Sequence, residues 1–126
     1  MTARLKVFFD GGCRPNPGRM EIAVVVGGKT WIERDAGQGT NTDAEWLALI
    51  HALGIARSLG AERFVLLGDA MHVVGPASGI AKCGGGASAH LEAFRILAGA
   101  ESPPPVRYIK RSQNLAGIAL ARLHPR

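Results

Sequence analysis

Short apolar runs broken by glycine and proline open the chain. Arg4–Asp10 builds into the run Leu5-Lys6-Val7-Phe8-Phe9 and predicts a strand that delivers Asp10 into a turn. Glu21–Val26, with Ile22-Ala23-Val24-Val25-Val26 as its body, predicts a second strand. Gly27-Gly28-Lys29 is a hairpin signal. Thr30–Asp35 then alternates around Trp31 and Ile32 as a third strand, so the chain begins as an antiparallel meander.

The period changes after Asp35. Thr42–Leu59 predicts a helix, with Gly60 as its stop. On it Glu45, Ala48, Leu49, Ala52 and Ala56 share one face, and that small-residue face is expected to lie flat on a sheet. Arg63–Gly68 is a fourth strand and Met71–Ser78 a short helix in which Pro76 is a break or kink. Ile80–Ala87, carrying Gly84-Gly85-Gly86, predicts a loop. Ser88–Ala100 predicts a helix with Leu91, Phe94, Arg95 and Leu97-Ala98 at helical spacing. Pro103-Pro104-Pro105 is a stiff link to a fifth strand, Val106–Lys110, and Gln113–Leu123 is the last helix. A meander followed by alternating helices and strands is an α/β pattern: a mixed five-stranded sheet with helices packed on it, in a single domain over residues 1–126.

Composition agrees with one packed core. Hydrophobic residues make up 47% of the 126, which suits a globular chain, and no run approaches the ~20 apolar residues of a membrane span. The first residues form a charged strand-like start, not an apolar leader. Cys13 and Cys83 offer neither a disulfide framework nor a metal-type pairing, and the expected setting is cytoplasmic. Fifteen Lys and Arg against ten Asp and Glu leave a net charge of +5, which suits a polyanionic partner but is shared by many soluble proteins with basic surfaces.

Three acids stand at the edges of apolar elements. Asp10 precedes Gly11-Gly12-Cys13-Arg14-Pro15-Asn16-Pro17-Gly18, where the glycines let another backbone approach closely. Alternatively it is an ordinary turn residue. Glu45 follows Thr40-Asn41-Thr42-Asp43-Ala44. Thr42-x-x-Glu45 reads as a capping box, while the small-residue face turns Glu45 inward, where a half-buried carboxylate calls for a metal or a charged partner. Asp69 ends Phe64-Val65-Leu66-Leu67-Gly68 and is either a functional acid or a cap for the next helix. Asp43 suits the first-turn helix dipole and points elsewhere than Glu45. His72 and His90 lie on helical segments and read as surface or packing residues before ligands. Together Asp10, Glu45 and Asp69 suggest a shared Mg²⁺ site.

At these residues the chain resembles the ribonuclease H type 1 family. Asp10-Gly11-Gly12-Cys13 with Asn16-Pro17-Gly18 is similar to that family's first motif, Thr40-Asn41 with Ala44-Glu45 to its second, and Asp69 after its strand to the third, over roughly residues 4–123. The resemblance implies a ribonuclease H-like fold and an endoribonuclease that hydrolyses the RNA strand of RNA–DNA hybrids. It implies Asp10, Glu45 and Asp69 as catalytic metal ligands. Two Mg²⁺ ions, with Mn²⁺ as substitute, are expected about 3.5–4 Å apart and bridged by Asp10. It further implies that Gly11, Gly12, Cys13, Asn16 and Asn41 meet the nucleic acid, the asparagines sensing the ribose 2′-OH that only RNA carries. Lys82, Arg95, Lys110 and Arg111 are phosphate candidates, with binding that weakens as salt rises.

The chain also departs from the family pattern. The fourth acid is expected in Arg111-Ser112-Gln113-Asn114-Leu115-Ala116-Gly117-Ile118, at or next to Ile118, yet Gly117 and Ile118 stand there and no Asp or Glu follows Glu101. The third motif reads Asp69-Ala70-Met71-His72 where small polar residues are usual, and the family's loop histidine is missing. The family's longer members carry a basic, tryptophan-containing protrusion near Ile80–Ser88, where this chain keeps only Lys82 and a glycine run. These departures leave a weakened nuclease as the first expectation. A catalytically silent ribonuclease H-like module that binds nucleic acid or a protein partner is the alternative.

Overall fold

A computed structural model describes residues 4–99 and 104–124. The strands are β1 (Leu5–Cys13), β2 (Gly18–Val26), β3 (Lys29–Glu33), β4 (Gln38–Gly39), β5 (Phe64–Gly68) and β6 (Val106–Tyr108). The helices are α1 (Asn41–Ser58), α2 (Met71–Ser78), α3 (Ser88–Ala98) and α4 (Leu115–Ala121), with 3₁₀ turns at Gly85–Ala87 and Arg111–Gln113. The five strands expected from the sequence form one path, β3-β2-β1-β5-β6, and the two-residue β4 adds a sixth strand beside the start of β2. β1, β2 and β3 pair antiparallel, as the meander requires, while β1–β5 and β5–β6 are parallel. The helix-bearing crossovers between the parallel pairs are the connections that such pairing needs.

Alternation along β1 sorts the two faces. Val7, Phe9 and Gly11 are buried toward α1, whereas Phe8, Asp10 and Gly12 point to the other side. The first face carries the main core, where Trp46, Leu49, Leu53, Leu66, Val73 and Phe94 are almost fully buried. On the second face Ala116 and Leu120 of α4 close over Ala23 and Val25. α1 lies flat as its small-residue face predicts: Ala48, Leu49, Ala52 and Ala56 all have zero exposure. Arg57 closes the end of α3 by donating to the carbonyls of Leu97 and Ala98.

Several boundaries move. β1 continues past Asp10 to Cys13 because β2 begins earlier, at Gly18, and holds Gly12 opposite Glu21 and Cys13 opposite Met20. Asp10 is therefore inside a strand. Its parallel partner β5 runs out first: the last paired residues are Phe8 and Leu67, and the acid stands where the sheet opens. The capping box also differs. Thr40, not Thr42, caps α1; its hydroxyl accepts from Asp43 N–H and Asp43 Oδ2 accepts from Thr40 N–H, which frees Glu45 from capping. Pro76 is carried inside α2, which ends two residues later. The last helix starts late because the 3₁₀ turn precedes it, and Asn114 caps it by accepting Ala116 N–H. Ala100 and Pro103, assigned from sequence to a helix and a stiff link, fall outside the described residues.

Three glycines are needed for definite reasons. Gly27 and Gly28 have φ of 54° and 85°, the paired left-handed conformation of a two-residue hairpin turn. Gly11 has no room for a side chain: a Cβ there would sit 2.2 Å from the Ala44 carbonyl oxygen and 2.8 Å from Glu45 N. Gly11→Ala must push α1 off β1, and we expect a loss of ~3 kcal/mol or more in urea unfolding, the upper end for an overpacked core. Gly12→Ala is the control, since its Cβ meets nothing closer than Asn41 Oδ1 at 3.5 Å. Equal stability of the two variants would show that the β1–α1 contact is not the constraint described.

Candidate metal and nucleic-acid site

Asp10, Glu45 and Asp69 meet where the parallel pairing of β1 with β5 runs out, the edge at which open α/β sheets form crevices. Each offers an oxygen, and the three oxygens lie within 4.8 Å of one another. Asp10 comes from β1 and Asp69 from the residue after β5, and Glu45 is the fifth residue of α1, brought alongside because Gly11 lets the helix backbone touch the strand. The convergence expected of these three residues is what the structure contains. Among the described residues no other group of three acids, histidines or cysteines has this proximity.

The electrostatics are those of a site short of positive charge. Burial, then the neighbouring Asp69 charge, raises Asp10 to about 7, opposed by Arg111 and by the Gly11 N–H. Burial, then Asp10 and Asp69, raises Glu45 to about 8, again opposed by Arg111. Glu45 Oε2 is buried and has no hydrogen-bond partner. A buried carboxylate whose Oε2 accepts no hydrogen bond, close to two other carboxylates, fits a hard divalent cation with oxygen ligands, so the residues present suit such an ion.

Three neighbours arrange the acids. Asn114, fully buried at the cap of α4, donates Nδ2–H to Asp69 Oδ2 at 2.8 Å and to the Phe9 carbonyl at 3.0 Å. Arg111, from the turn before α4, lines the same cleft of about 680 Å³. Gly117 of α4 faces the acids directly: a Cβ there would lie 3.4 Å from Asp10 Oδ2 and 3.7 Å from Asp69 Oδ2. A side chain at residue 117 would thus start in van der Waals contact with two of the acids. Ile118, on the cleft wall and 38% exposed, is the position from which a fourth acid has room to reach.

The glycine–asparagine loop is built around Cys13 and lies beside the acids. Asn41 Oδ1 accepts the Cys13 N–H at 2.8 Å, and Asn16 Oδ1 accepts the Asn41 N–H at 3.1 Å. Cys13 is buried, its thiol 3.5 Å from Asn16 Oδ1 and from the Gly39 carbonyl. Both asparagine carbonyl oxygens thus serve the loop, and the exposed side chains keep their amide donors for a ligand. Gly12, Cys13 and Asn41 line the cleft. Of the basic candidates, Arg111 lines it while Lys82, Arg95 and Lys110 do not.

Sequence reasoning missed Glu21 and His124. Glu21, opposite Gly12 on β2, is 7% exposed and on the cleft floor, paired with His124 beyond α4 and with Arg34 at 3.3 Å. Burial disfavours its charge, but the hydrogen bonds from His124 and Arg34 prevail and lower its pKa. No local pattern signals a contact between residues 103 positions apart. Of the two histidines read as surface or packing residues, His90 stacks on Trp46 with ring centroids 6.3 Å apart and pairs with Asp43 at 2.8 Å. His72 reaches Glu45 instead. No helix among the described residues is long and apolar enough to cross a membrane.

Comparison with known proteins agrees with this geometry. The profile of a family described as reverse transcriptase-like matches residues 9–124. The ribonuclease HI of Halobacterium salinarum (strain ATCC 700922 / JCM 11081 / NRC-1) is 37% identical over 75 residues, which cover 56% of this chain and 38% of that protein. The crystal structure of ribonuclease H1 from Halobacterium salinarum NRC-1 superposes with a TM-score of 0.81 at 26% identity, covering 94% of each chain. The N-terminal ribonuclease H domain of a Mycobacterium tuberculosis protein gives 0.77 at 25% identity, covering 98% of this chain and 100% of that one. LC11 ribonuclease H1, solved in complex with an RNA/DNA hybrid, shares the fold with a TM-score of 0.80 at 23% identity, covering 93% of each chain.

The raised carboxyls set a pH dependence. Between the ordinary values of 3.8 and 4.5 and the raised values of about 7 and about 8, the folded cation-free protein keeps protons that the unfolded chain has lost. Stability must then fall as pH rises through that window. In chelator, the melting temperature of the parent is expected to drop from pH 5 to pH 8 more steeply than that of Asp10→Asn, and millimolar Mg²⁺ or Mn²⁺ at pH 8 should restore the parent alone. Parallel pH curves for the two proteins, with no cation effect, would contradict the charge-starved site.

Proposed function

Because this chain belongs to the reverse transcriptase-like family and has the ribonuclease H type 1 fold, we propose that it hydrolyses the RNA strand of RNA–DNA hybrids with divalent cations held by Asp10, Glu45 and Asp69. The observation that carries this reading is the convergence of three carboxylate oxygens within 4.8 Å where the parallel pairing of β1 with β5 ends. The match to the Halobacterium salinarum ribonuclease HI, which spans 38% of that relative, supports the same reaction.

Bound Mg²⁺ or Mn²⁺ would supply Lewis-acid charge at the scissile phosphate and an activated water at neutral pH. The protein's own groups do the rest. Asp10, Glu45 and Asp69 each bring one carboxylate oxygen to the shared position. Asn114 holds Asp69 in orientation through Nδ2. Arg111 brings a fixed positive charge to a cleft that must admit a phosphodiester. Gly12 leaves the strand surface bare for a close backbone approach, while Gly11 admits the helix that carries Glu45. The exposed amides of Asn16 and Asn41 are placed to donate to sugar oxygens, and the 2′-OH is the group that distinguishes RNA there. Two free cysteines support a reducing, cytoplasmic setting.

A second reading rests on one observation: α4 presents Gly117 and Ile118 where a fourth carboxylate would complete a second cation position. Under it, the domain binds hybrid and does not cut.

A hybrid carrying a labelled RNA strand separates the two. The parent should release RNA fragments with Mg²⁺ or Mn²⁺ and none in chelator. Asp10→Asn should lose at least about a hundredfold, the equivalent of several kcal/mol of charge stabilisation. Binding without cleavage under either cation would favour the silent module, and cleavage in chelator would exclude the metal mechanism. Ile118→Asp should raise cleavage at low Mg²⁺. Its stability cost should be only ~1 kcal/mol, because residue 118 is 38% exposed and the carboxylate keeps its water. No gain at any cation concentration, in a folded variant, would show that α4 does not supply the missing ligand position.

A further inference from the structure

The three acids are not held alike. Asp69 is gripped by Asn114, and Asp10 takes the N–H of its own neighbour Gly11. Glu45 has no such bond: its Oε2 is buried without a hydrogen-bond partner, and the side chain is 14% exposed. The polar atom beside it is Nε2 of His72, 2.9 Å away but off the line of a hydrogen bond. The same nitrogen is 3.4 Å from Thr42 Oγ1, at the start of α1.

His72 has no other evident task. Its side chain is 55% exposed and fills no core position. It caps no helix, since the Ala70 cap of α2 makes no side-chain bond. Its placement is informative because α2 begins two residues after Asp69. A side chain on the second position of α2 therefore touches the acid carried by α1, and the segment bearing Asp69 is linked to the segment bearing Glu45.

We propose that His72 is a positioning residue for Glu45. In the tautomer with its proton on Nε2, a small rotation of the half-exposed imidazole completes a hydrogen bond to Oε2 and fixes the carboxylate plane. Oε1 then stays available to a cation shared with Asp10 and Asp69. Groups that orient metal-binding carboxylates in this way govern affinity by 10–100-fold when removed. The inference rests on the metal-dependent reading of the site, and it assigns to the third motif's histidine a role that neither charge nor periodicity reveals.

The test is Mn²⁺ binding to the full chain, measured by titration calorimetry at one fixed pH, so that it does not depend on cleavage. His72→Ala should raise the Mn²⁺ Kd about tenfold or more while its melting temperature in chelator stays within about 2 °C of the parent. His72→Gln, whose amide can donate to the same oxygen, should recover most of the affinity. Equal Kd values for parent and His72→Ala overturn the positioning role and leave the metal reading intact. A stable His72→Gln as weak as His72→Ala also overturns it, in favour of direct coordination by the imidazole. If the parent shows no saturable Mn²⁺ binding that Asp10→Asn abolishes, the metal reading itself fails, and this proposal with it.

Discussion

Strand β1 and helix α1 touch backbone to backbone at Gly11, and the site follows from that contact. A Cβ at residue 11 would fall 2.2 Å from the Ala44 carbonyl, closer than any packed atom stands. With hydrogen there instead, the first turn of α1 settles onto the strand and Ala44 is fully buried. Glu45, the next residue, is carried across the end of the sheet to Asp10. The same approach sets Asn41 against Cys13, so one glycine aligns both the acids and the loop beside them. The cost is that α1 must start at one place, and the Thr40–Asp43 capping box fixes that start.

Bringing three carboxylates together opposes folding. Burial and mutual repulsion hold Asp10 and Glu45 far above ordinary carboxyl values, and Arg111 offsets only part of this. The protein has spread the remaining compensation over separate elements. Asn114 reaches from the cap of α4 to Asp69, and it is fully buried while bonded to the strand carbonyl of Phe9, to Asp69 and to its own helix. Such a satisfied amide is rigid, because every alternative orientation leaves a buried polar group unpaired. The Glu45 carboxylate, whose buried Oε2 accepts no hydrogen bond, is the member of the trio that a cation's charge suits.

Helix α4 is therefore more than a lid on the second face. Ala116 and Leu120 pack it onto Ala23 and Val25, and Gly117 brings its backbone against the acids. Beyond it, His124 ties the chain to the buried Glu21 on β2, whose carboxylate is also braced by Arg34. Anchored at both ends, α4 keeps Asn114 and Arg111 in register with a site to which it contributes no carboxylate.

The strands, the α1 face and the three acids were legible in the sequence because each is a local pattern. Alternation in Leu5–Asp10 and the Ala48, Leu49, Ala52, Ala56 spacing are consequences of the chain's own periods, and Asp10, Glu45 and Asp69 mark element edges. Boundaries were less legible where a neighbour decides them. β1 runs on to Cys13 only because β2 pairs with it there, and β4 exists only because Gly18 and Arg19 have a free edge to offer. The capping box illustrates the same limit: Thr40 with Asp43 and Thr42 with Glu45 are equivalent as text, and packing at Gly11 chooses between them. The contacts of Glu21 with His124, of Asn114 with Asp69 and of His72 with Glu45 link residues far apart in the chain. No local propensity encodes such pairings, since they arise only when the sheet and its helices fix where each side chain ends. The sequence alone determined which elements form and which acids stand at their edges; the tertiary structure decided which groups face those acids.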